Sequence, residues 1–265
     1  MPRFFLAGYA LSFVMNPFNF GKSNMSNLGP IQERYLNDNY ISCNPSWDME
    51  DSPWKARKVN EILNANRIVS SSIMDVGCGA GRVLMEMMGA FPKATLTGYE
   101  IAPDTEQFWS MLRAPGINLV HGDFLESKVP LQDVILLLDV VEHLQDPFEF
   151  LTKVRGRAKH YVFHFPLDLS AESVLREAPL LLVRQKVGHV HYYPRGLVLA
   201  LLKECGYRIV ESRYTGAAFN ALRRGWKTYL AQIPRRLAYA INHDWGTRLF
   251  GGETLMVLAV EAEAL

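Results

Sequence analysis

The sequence predicts an α/β fold, a mostly parallel sheet with helices on both faces. Three observations carry that expectation. From residue 71 onward, short apolar runs alternate with helix-like segments, the pattern of strands joined by crossover helices. The most apolar run in the chain, DVILLLDV (133–140), sits within that alternation. MDVGCGAG (74–81) concentrates three glycines at a strand-to-helix junction, where open sheets of this kind receive ligands.

Bulk composition is compatible with one large domain or one domain with appendages. The chain has 265 residues, 49% hydrophobic and 21% charged, enough apolar material for a full core. A formal net charge of +1 provides no global field favouring nucleic acid, although local basic patches are still allowed. The three cysteines (Cys43, Cys78, Cys205) are far apart and form no C-x-x-C pair. That argues against a disulfide scaffold or zinc ribbon and fits a reducing compartment.

Residues 1–53 read as an N-terminal extension and lead-in, partly disordered. The opening MPRFFLAGYALSFVMNPFNF superficially resembles a secretory leader. Its apolar run, Phe4 to Met15, is about 12 residues, too short to span a bilayer, and no A-x-A-like cleavage site follows. An upstream extension over the first 24 residues is the preferred reading, with membrane anchoring or export as the alternative. Residues 26–53 are polar and rich in Pro, Asn and Asp, with interspersed aromatics, and read as a loop or short-helix lead-in.

Ser52 is placed to cap a helix with Pro53 at its first position, running through KARKVNEILNAN. Strands are expected at 71–76, 94–100, 117–123, 133–140, 160–165, 207–214 and 253–261. Helices are expected at 81–91, 104–114, 147–157 and 194–206, the last opening on Pro and closing on Gly. The final strand follows a Gly-Gly turn and is expected to enter antiparallel.

The glycine loop should offer free backbone N–H groups at a helix start, with bare backbone that ligand atoms approach directly. A phosphate-binding loop would need G-x-x-x-x-G-K-[ST], and Arg82 follows the last glycine here. A dinucleotide fingerprint needs its third glycine one position later. The spacing fits a nucleoside ligand across Gly77, Gly79 and Gly81. Glu100, ending the second strand, can accept from both ribose hydroxyls; Asp123 in HGDF can accept from an exocyclic amine of adenine or simply form the turn after Gly122.

In their order and spacing, DVGCGAG, GYE, HGDF and LLLDVVEHLQDP resemble the class I S-adenosylmethionine (SAM) dependent methyltransferases, over roughly residues 70–214 and the last strand. The resemblance implies a Rossmann-like seven-stranded sheet, a methyltransferase domain over 54–265, and SAM as cofactor with S-adenosylhomocysteine (SAH) as product. It implies Asp75, Gly77, Cys78, Gly79 and Gly81 along the methionine and ribose. Glu100 and Ile101 would then sit at the ribose, Asp123 and Phe124 at the adenine, and Asp139 beside the methyl donor.

A sulfonium methyl is already activated, so the enzyme aligns the acceptor and controls its proton. Hydroxyl acceptors need a base or a metal. If the chain turns helical after the fourth strand, Asp139, Glu142 and His143 share a face. EHLQDP resembles the subgroup containing quinone-biosynthesis O-methyltransferases and small-RNA 2′-O-methyltransferases, parts of which bind a divalent metal through E-x-x-E-H and a distant His. Three roles stay open: Glu142 and His143 line the pocket, His143 is a general base, or Asp139, Glu142 and His143 hold Mg²⁺ or Zn²⁺ with His189 or His191. Alternation puts both His189 and His191 on one face of an extended segment, where one can reach the acceptor and the other the surface. His164 reads as a satisfied core histidine or a pocket wall. Tyr192 and Tyr193 are read either as packing residues or as rings that stack on a substrate.

Residues 216–250 carry Arg223, Arg224, Lys227, Arg235, Arg236 and Arg248 against Asp244 alone. Leu222, Trp226, Tyr229, Leu230 and Ile233 recur at roughly helical spacing, so this insert reads as basic amphipathic helices broken at Pro234. It is either a helical cap or a contact with anionic membrane. No aromatic-basic nucleic-acid module accompanies it. The expectation is a cytoplasmic enzyme, peripheral contact with membrane aside, that methylates a small-molecule acceptor, on oxygen more than nitrogen or carbon. The alternatives are a metal-assisted O-methyltransferase of RNA or a lipid-linked acceptor, and a SAM-binding regulator without catalysis.

Overall fold

A computed structural model of the chain describes residues 31, 35, 39–110, 116–220 and 225–263. The extension expected over residues 1–24 lies outside them. The sheet has seven strands: β1 Ser72–Val76, β2 Thr95–Glu100, β3 Ile117–His121, β4 Gln132–Leu138, β5 Ala158–Leu167, β6 Tyr207–Tyr214 and β7 Glu253–Glu261. Their spatial order is β3-β2-β1-β4-β5-β7-β6. The first five pair in parallel, and β7 runs antiparallel between β5 and β6, as the Gly-Gly turn suggested.

Period-two alternation sends side chains to two cores. Met74, Ile135, Leu137, Phe163 and Val257 pack on one face against α5 (Pro147–Val154) and α8 (Arg195–Glu204). Ile73, Val134, Leu136, Val162 and Met256 pack on the other against α2 (Ser52–Ala65) and α3 (Arg82–Met87). Each such fully buried side chain contributes roughly 1.5–3 kcal/mol, so the strand ends that carry the polar residues stand on a rigid base.

Several boundaries differ from expectation. Helix α2 takes Asp51 as its cap residue rather than Ser52, because a short 3₁₀ turn, Met49–Asp51, leads directly into it. The helix expected over 104–114 begins as a 3₁₀ turn, Pro103–Thr105, and continues as α4 (Glu106–Trp109); residues 111–114 lie outside the described set. Two helices were not anticipated: α6 (Ala171–Arg176), opened by a reciprocal Ser170–Ser173 capping box, and α7 (Ala178–Lys186). The lead-in contains α1 (Asn39–Cys43).

The insert starts with α9 (Ala217–Asn220). Helix α10 (Gly225–Ile241) passes through Pro234 unbroken, which corrects the expected break there. The break falls at Asn242, whose side chain accepts from Trp245 N at 3.0 Å and starts α11 (His243–Phe250). Proline removes one backbone donor, whereas a capping Asn actively opens a new helix. The side chains of Leu222 to Leu230 lie outside the described residues. Arg235 and Arg248 are tied within the protein, to Phe250 O (2.7 Å) and Asp244 (2.6 Å). Among the described residues, no helix is long and apolar enough to cross a membrane.

Candidate functional site

The carboxyl ends of β1, β2, β3 and β4 converge on one edge of the sheet, and β1 and β4 lie side by side there, with windings that diverge. Gly79 has φ +53° and Gly81, at the start of α3, φ +77°, a region where residues with side chains are strained. A Cβ on Gly79 would come 2.6 Å from the Trp47 indole, and one on Gly81 2.9 Å from Leu119. The loop's amides are already committed. Gly77 N and Cys78 N donate to Tyr99 O at 2.8 and 3.1 Å, and Gly81 N to Cys78 O at 2.9 Å. Gly79 N donates to Glu100 Oε2 at 2.9 Å. The expected free N–H groups are therefore absent at these four positions, because the end of β2 lies beside the loop and takes three of them while the loop's own turn takes the fourth. The glycines serve the turn and its packing.

Glu100 also accepts from Ile101 N (2.8 Å) and Ala102 N (2.9 Å) through Oε1. Burial pushes its pKa up, against the pull of these backbone bonds. A carboxylate has about four acceptor positions, so this clamp leaves capacity for a ligand hydroxyl. Glu100, Ile101, Asp123 and Phe124 line a cavity of 570 Å³. Asp123 does form the turn, with Oδ1 accepting from Leu125 N at 2.8 Å, and it faces that cavity as well. Phe124 is buried, edge-on to Tyr99 at 5.6 Å and under the Arg157 guanidinium at 4.8 Å. The Cys78 thiol is pushed up by burial and fills the space over Gly98, a packing role.

A second cavity, of 410 Å³, adjoins the first. Asp75 lines it from β1, 2% exposed, and its buried Oδ1 has no hydrogen-bond partner among the described residues. Burial and the neighbouring Glu100 push the Asp75 carboxyl up to about 7, against the pull of Lys55. Asp139, at φ +55°, turns away from the segment that follows it. It accepts from Lys55 Nζ at 2.7 Å and pairs with His164 Nδ1 at 2.6 Å; His164 Nε2 meets Thr254 Oγ1 at 2.8 Å. Burial acts to raise the Asp139 pKa, but His164 and Lys55 hold it well below the carboxylate range. Burial acts to lower Lys55, and Asp139 more than offsets it. His164 is thus a satisfied histidine that also lines the cavity. Sequence reading missed Lys55. Its signal was a cation at i, i+4 and i+7 with Val59 and Ile62, inside the buried stripe of α2.

Val141–His143 forms a 3₁₀ turn, and the left-handed Asp139 removes that residue from the face Glu142 and His143 share. The expected set of four ligands is corrected accordingly: Glu142, His143 and His189 gather with one donor atom each within 4.8 Å of one another, and Asp139 does not join them. Glu142 is 0% exposed, and among the described residues neither of its oxygens has a hydrogen-bond partner; Oε1 lies 3.9 Å from His143 Nε2 and 4.0 Å from His189 Nε2. Burial and Asp139 push its carboxyl up to about 8. Its backbone O receives Val190 N (2.9 Å) and His191 N (3.1 Å), which pins the GHVHYY segment under the turn.

His189 Nδ1 pairs with Asp168 Oδ2 at 2.6 Å. Burial lowers the His189 pKa, but the Asp168 bond and charge more than offset it. His143 Nδ1 meets Tyr35 OH at 2.7 Å, and burial with neighbouring His189 holds His143 down at about 3. His191 is corrected as a site residue: residues 188–194 do not form a strand, its Nε2 lies 2.9 Å from Leu144 O, and it lines neither cavity. Tyr192 OH bonds Leu180 O, and Tyr193 packs edge-on to Phe165.

The lead-in forms a wall of the site. Tyr40, Trp47, Gly77, Asp139 and His143 line both cavities. Tyr35 and Tyr40 lie 5.2 Å apart, and Tyr40 and Trp47 4.6 Å. The aromatic residues of the polar lead-in were the available signal.

A family model described as "Methyltransferase domain" matches residues 52–212. Solved structures of similar fold include the plantazolicin methyltransferase BpumL, 16% identical with a TM-score of 0.55, covering 89% of this chain and 100% of that one. The mitomycin 7-O-methyltransferase MmcR is 19% identical with a TM-score of 0.57, covering 89% and 62%. The magnesium protoporphyrin IX methyltransferase ChlM from Synechocystis PCC 6803 is 14% identical with a TM-score of 0.51, covering 93% and 91%. No curated protein matches the sequence.

Proposed function

The chain belongs to the methyltransferase-domain family, and from that premise we propose that it moves a methyl group from SAM to a hydroxyl oxygen of a small-molecule acceptor. The observation that carries the oxygen reading is Glu142, a buried carboxyl whose oxygens have no hydrogen-bond partner among the described residues, between the imidazoles of His189 and of His143, which lines both cavities. A hydroxyl must lose a proton to become a good nucleophile, and a buried acid–imidazole cluster supplies a place for it.

The cavity residues fit the cofactor. The unpartnered Asp75 oxygen suits an ammonium, the spare capacity of Glu100 suits ribose hydroxyls, and Asp123 with Phe124 suits adenine. Bound SAM supplies a methyl already activated on sulfur. The chain's own part is to hold both ends, exclude water with Tyr35, Tyr40 and Trp47, and accept the acceptor's proton. His189 is the better receiver, since the Asp168 carboxylate at its Nδ1 supports a positive charge on the ring and its Nε2 lies 4.0 Å from Glu142 Oε1. Candidate acceptors screened by SAH release should yield an O-methyl product by mass spectrometry. His189→Ala should lower turnover at least about a hundredfold with SAM affinity unchanged; an N- or C-methylated product refutes the oxygen assignment.

A second reading is favoured by the same three side chains. Glu142, His143 and His189 would hold a divalent cation, which would lower the pKa of an acceptor hydroxyl. Metal analysis of protein purified without chelator tests it, with stoichiometric metal expected and its absence counting against the reading. Peripheral contact with anionic membrane through α10 and α11 is part of the proposal, supported by exposed Ile233, Leu237 and Ile241 at helical spacing and exposed Trp245 and Leu249. Co-sedimentation with anionic but not neutral liposomes is expected; equal recovery with both removes it.

A further inference from the structure

We propose that the Trp47 and Tyr40 rings hold the sulfonium charge of SAM and thereby discount its neutral product SAH, an inference that rests on the cofactor reading above. A molecule with its nucleoside in the 570 Å³ cavity and its amino-acid end in the 410 Å³ cavity crosses the gate where the two meet. In SAM the sulfur joins those two halves, so its positive charge sits at the crossing. A desolvated cation needs a compensating group.

Among the described residues, five line both cavities, and Asp139 is the one carboxylate among those five. Its two oxygens are already engaged, Oδ2 by Lys55 Nζ at 2.7 Å and Oδ1 by His164 Nδ1 at 2.6 Å. Gly77 has no side chain, and His143 offers no negative charge. The two aromatic rings are left. Indole and phenol faces attract cations through their quadrupoles, indole most strongly. The rings stand 4.6 Å apart at 54°, an open corner rather than a stack.

Trp47 is held firmly. Its indole lies on Gly79, where a Cβ would come within 2.6 Å. Trp47 and Asp48 both carry left-handed backbone, φ +50° and +53°, and Tyr40 OH donates to Asp48 Oδ2 at 3.3 Å. Consecutive strained non-glycine residues persist only where their surroundings hold them, and they collect at ligand clamps.

The test is calorimetric titration of wild type, Trp47→Leu, Trp47→Phe and Tyr40→Leu with SAM and with SAH. Trp47→Leu should weaken SAM about tenfold, or about 1.4 kcal/mol, and SAH by no more than about twofold, whereas Trp47→Phe keeps most of the discrimination. Equal loss of both ligands in Trp47→Leu means a role in shape alone and overturns the proposal. If Trp47→Leu melts below the titration temperature, the same comparison in Tyr40→Leu decides, and an unchanged SAH-to-SAM affinity ratio there overturns it. Wild type that binds neither ligand sinks the cofactor reading and this inference with it.

Discussion

Asp75→Asn should make the ligand-free protein more stable at neutral and alkaline pH while weakening cofactor binding. The Asp75 carboxyl is 2% exposed, with one oxygen unpartnered, and is pushed up to about 7 from 3.8. A carboxyl whose native pKa is raised stabilises the fold fully only below its unfolded value. Stability falls as pH rises from about 4 to about 7 and levels off above. A gap of about three units at about 1.4 kcal/mol each means that the ionised group costs the native state about 4 kcal/mol at pH 8. The amide removes that charge but brings a donor with no partner, which costs about 1–3 kcal/mol. A net gain of about 2 kcal/mol raises Tm by roughly 5 °C in a domain of this size.

The assay is thermal unfolding of wild type and variant from about pH 4.5, where the gain should vanish or reverse, to about pH 8, where it should be complete. Saturating SAM should raise the Tm of wild type, by about 2.7 kcal/mol of linkage at a hundredfold excess over Kd, and that of the variant far less. A Tm difference that is flat across this range would falsify the claim that Asp75 is held protonated by burial.

Glu100→Ala strips the acceptor from three amides, Gly79, Ile101 and Ala102, and should cost about 3 kcal/mol in urea unfolding along with nucleoside binding; a variant as stable as wild type contradicts the clamp. Gly79→Ala forces a Cβ against the Trp47 indole at a left-handed φ. It should shift tryptophan emission and weaken SAM about tenfold, and unchanged spectra would show that the indole does not sit there. Glu142→Gln should leave metal-free stability near wild type at pH 7, because the carboxyl, pushed up to about 8, is already neutral. If the cluster holds a cation, excess Zn²⁺ or Mg²⁺ should raise the Tm of wild type and not of the variant; equal shifts refute it.

The strand pattern was legible because it is local. β6 and β7 have the bounds their apolar runs suggest, and the antiparallel β7 follows from the glycine turn before it. Residue types at the strand ends were legible too: Glu100, Asp123 and Asp139 stand at the ligand edge, where a parallel sheet puts such residues. What was not legible depended on partners distant in the chain. The glycine loop looked like a source of free donors, yet Tyr99 O and Glu100 from another strand occupy them. Asp139 and Glu142 looked like members of one ligand set, yet a single left-handed residue sends Asp139 to Lys55 and His164. Asp168, which orients His189, carries no local mark beyond being an acid just past β5.

From the chain alone came the α/β class, the order of strands and helices, and the kinds of groups gathered at the sheet's edge, since backbone propensity and side-chain periodicity act over a few residues. Only the folded molecule decided which of those groups remain open to a ligand. It closed the glycine amides, engaged both oxygens of Asp139, tied His191 to Leu144 O, and brought Tyr35, Tyr40 and Trp47 over the cavities. Hydrogen bonding and desolvation depend on distance in space, and contacts such as Tyr35 to His143 join residues far apart in sequence.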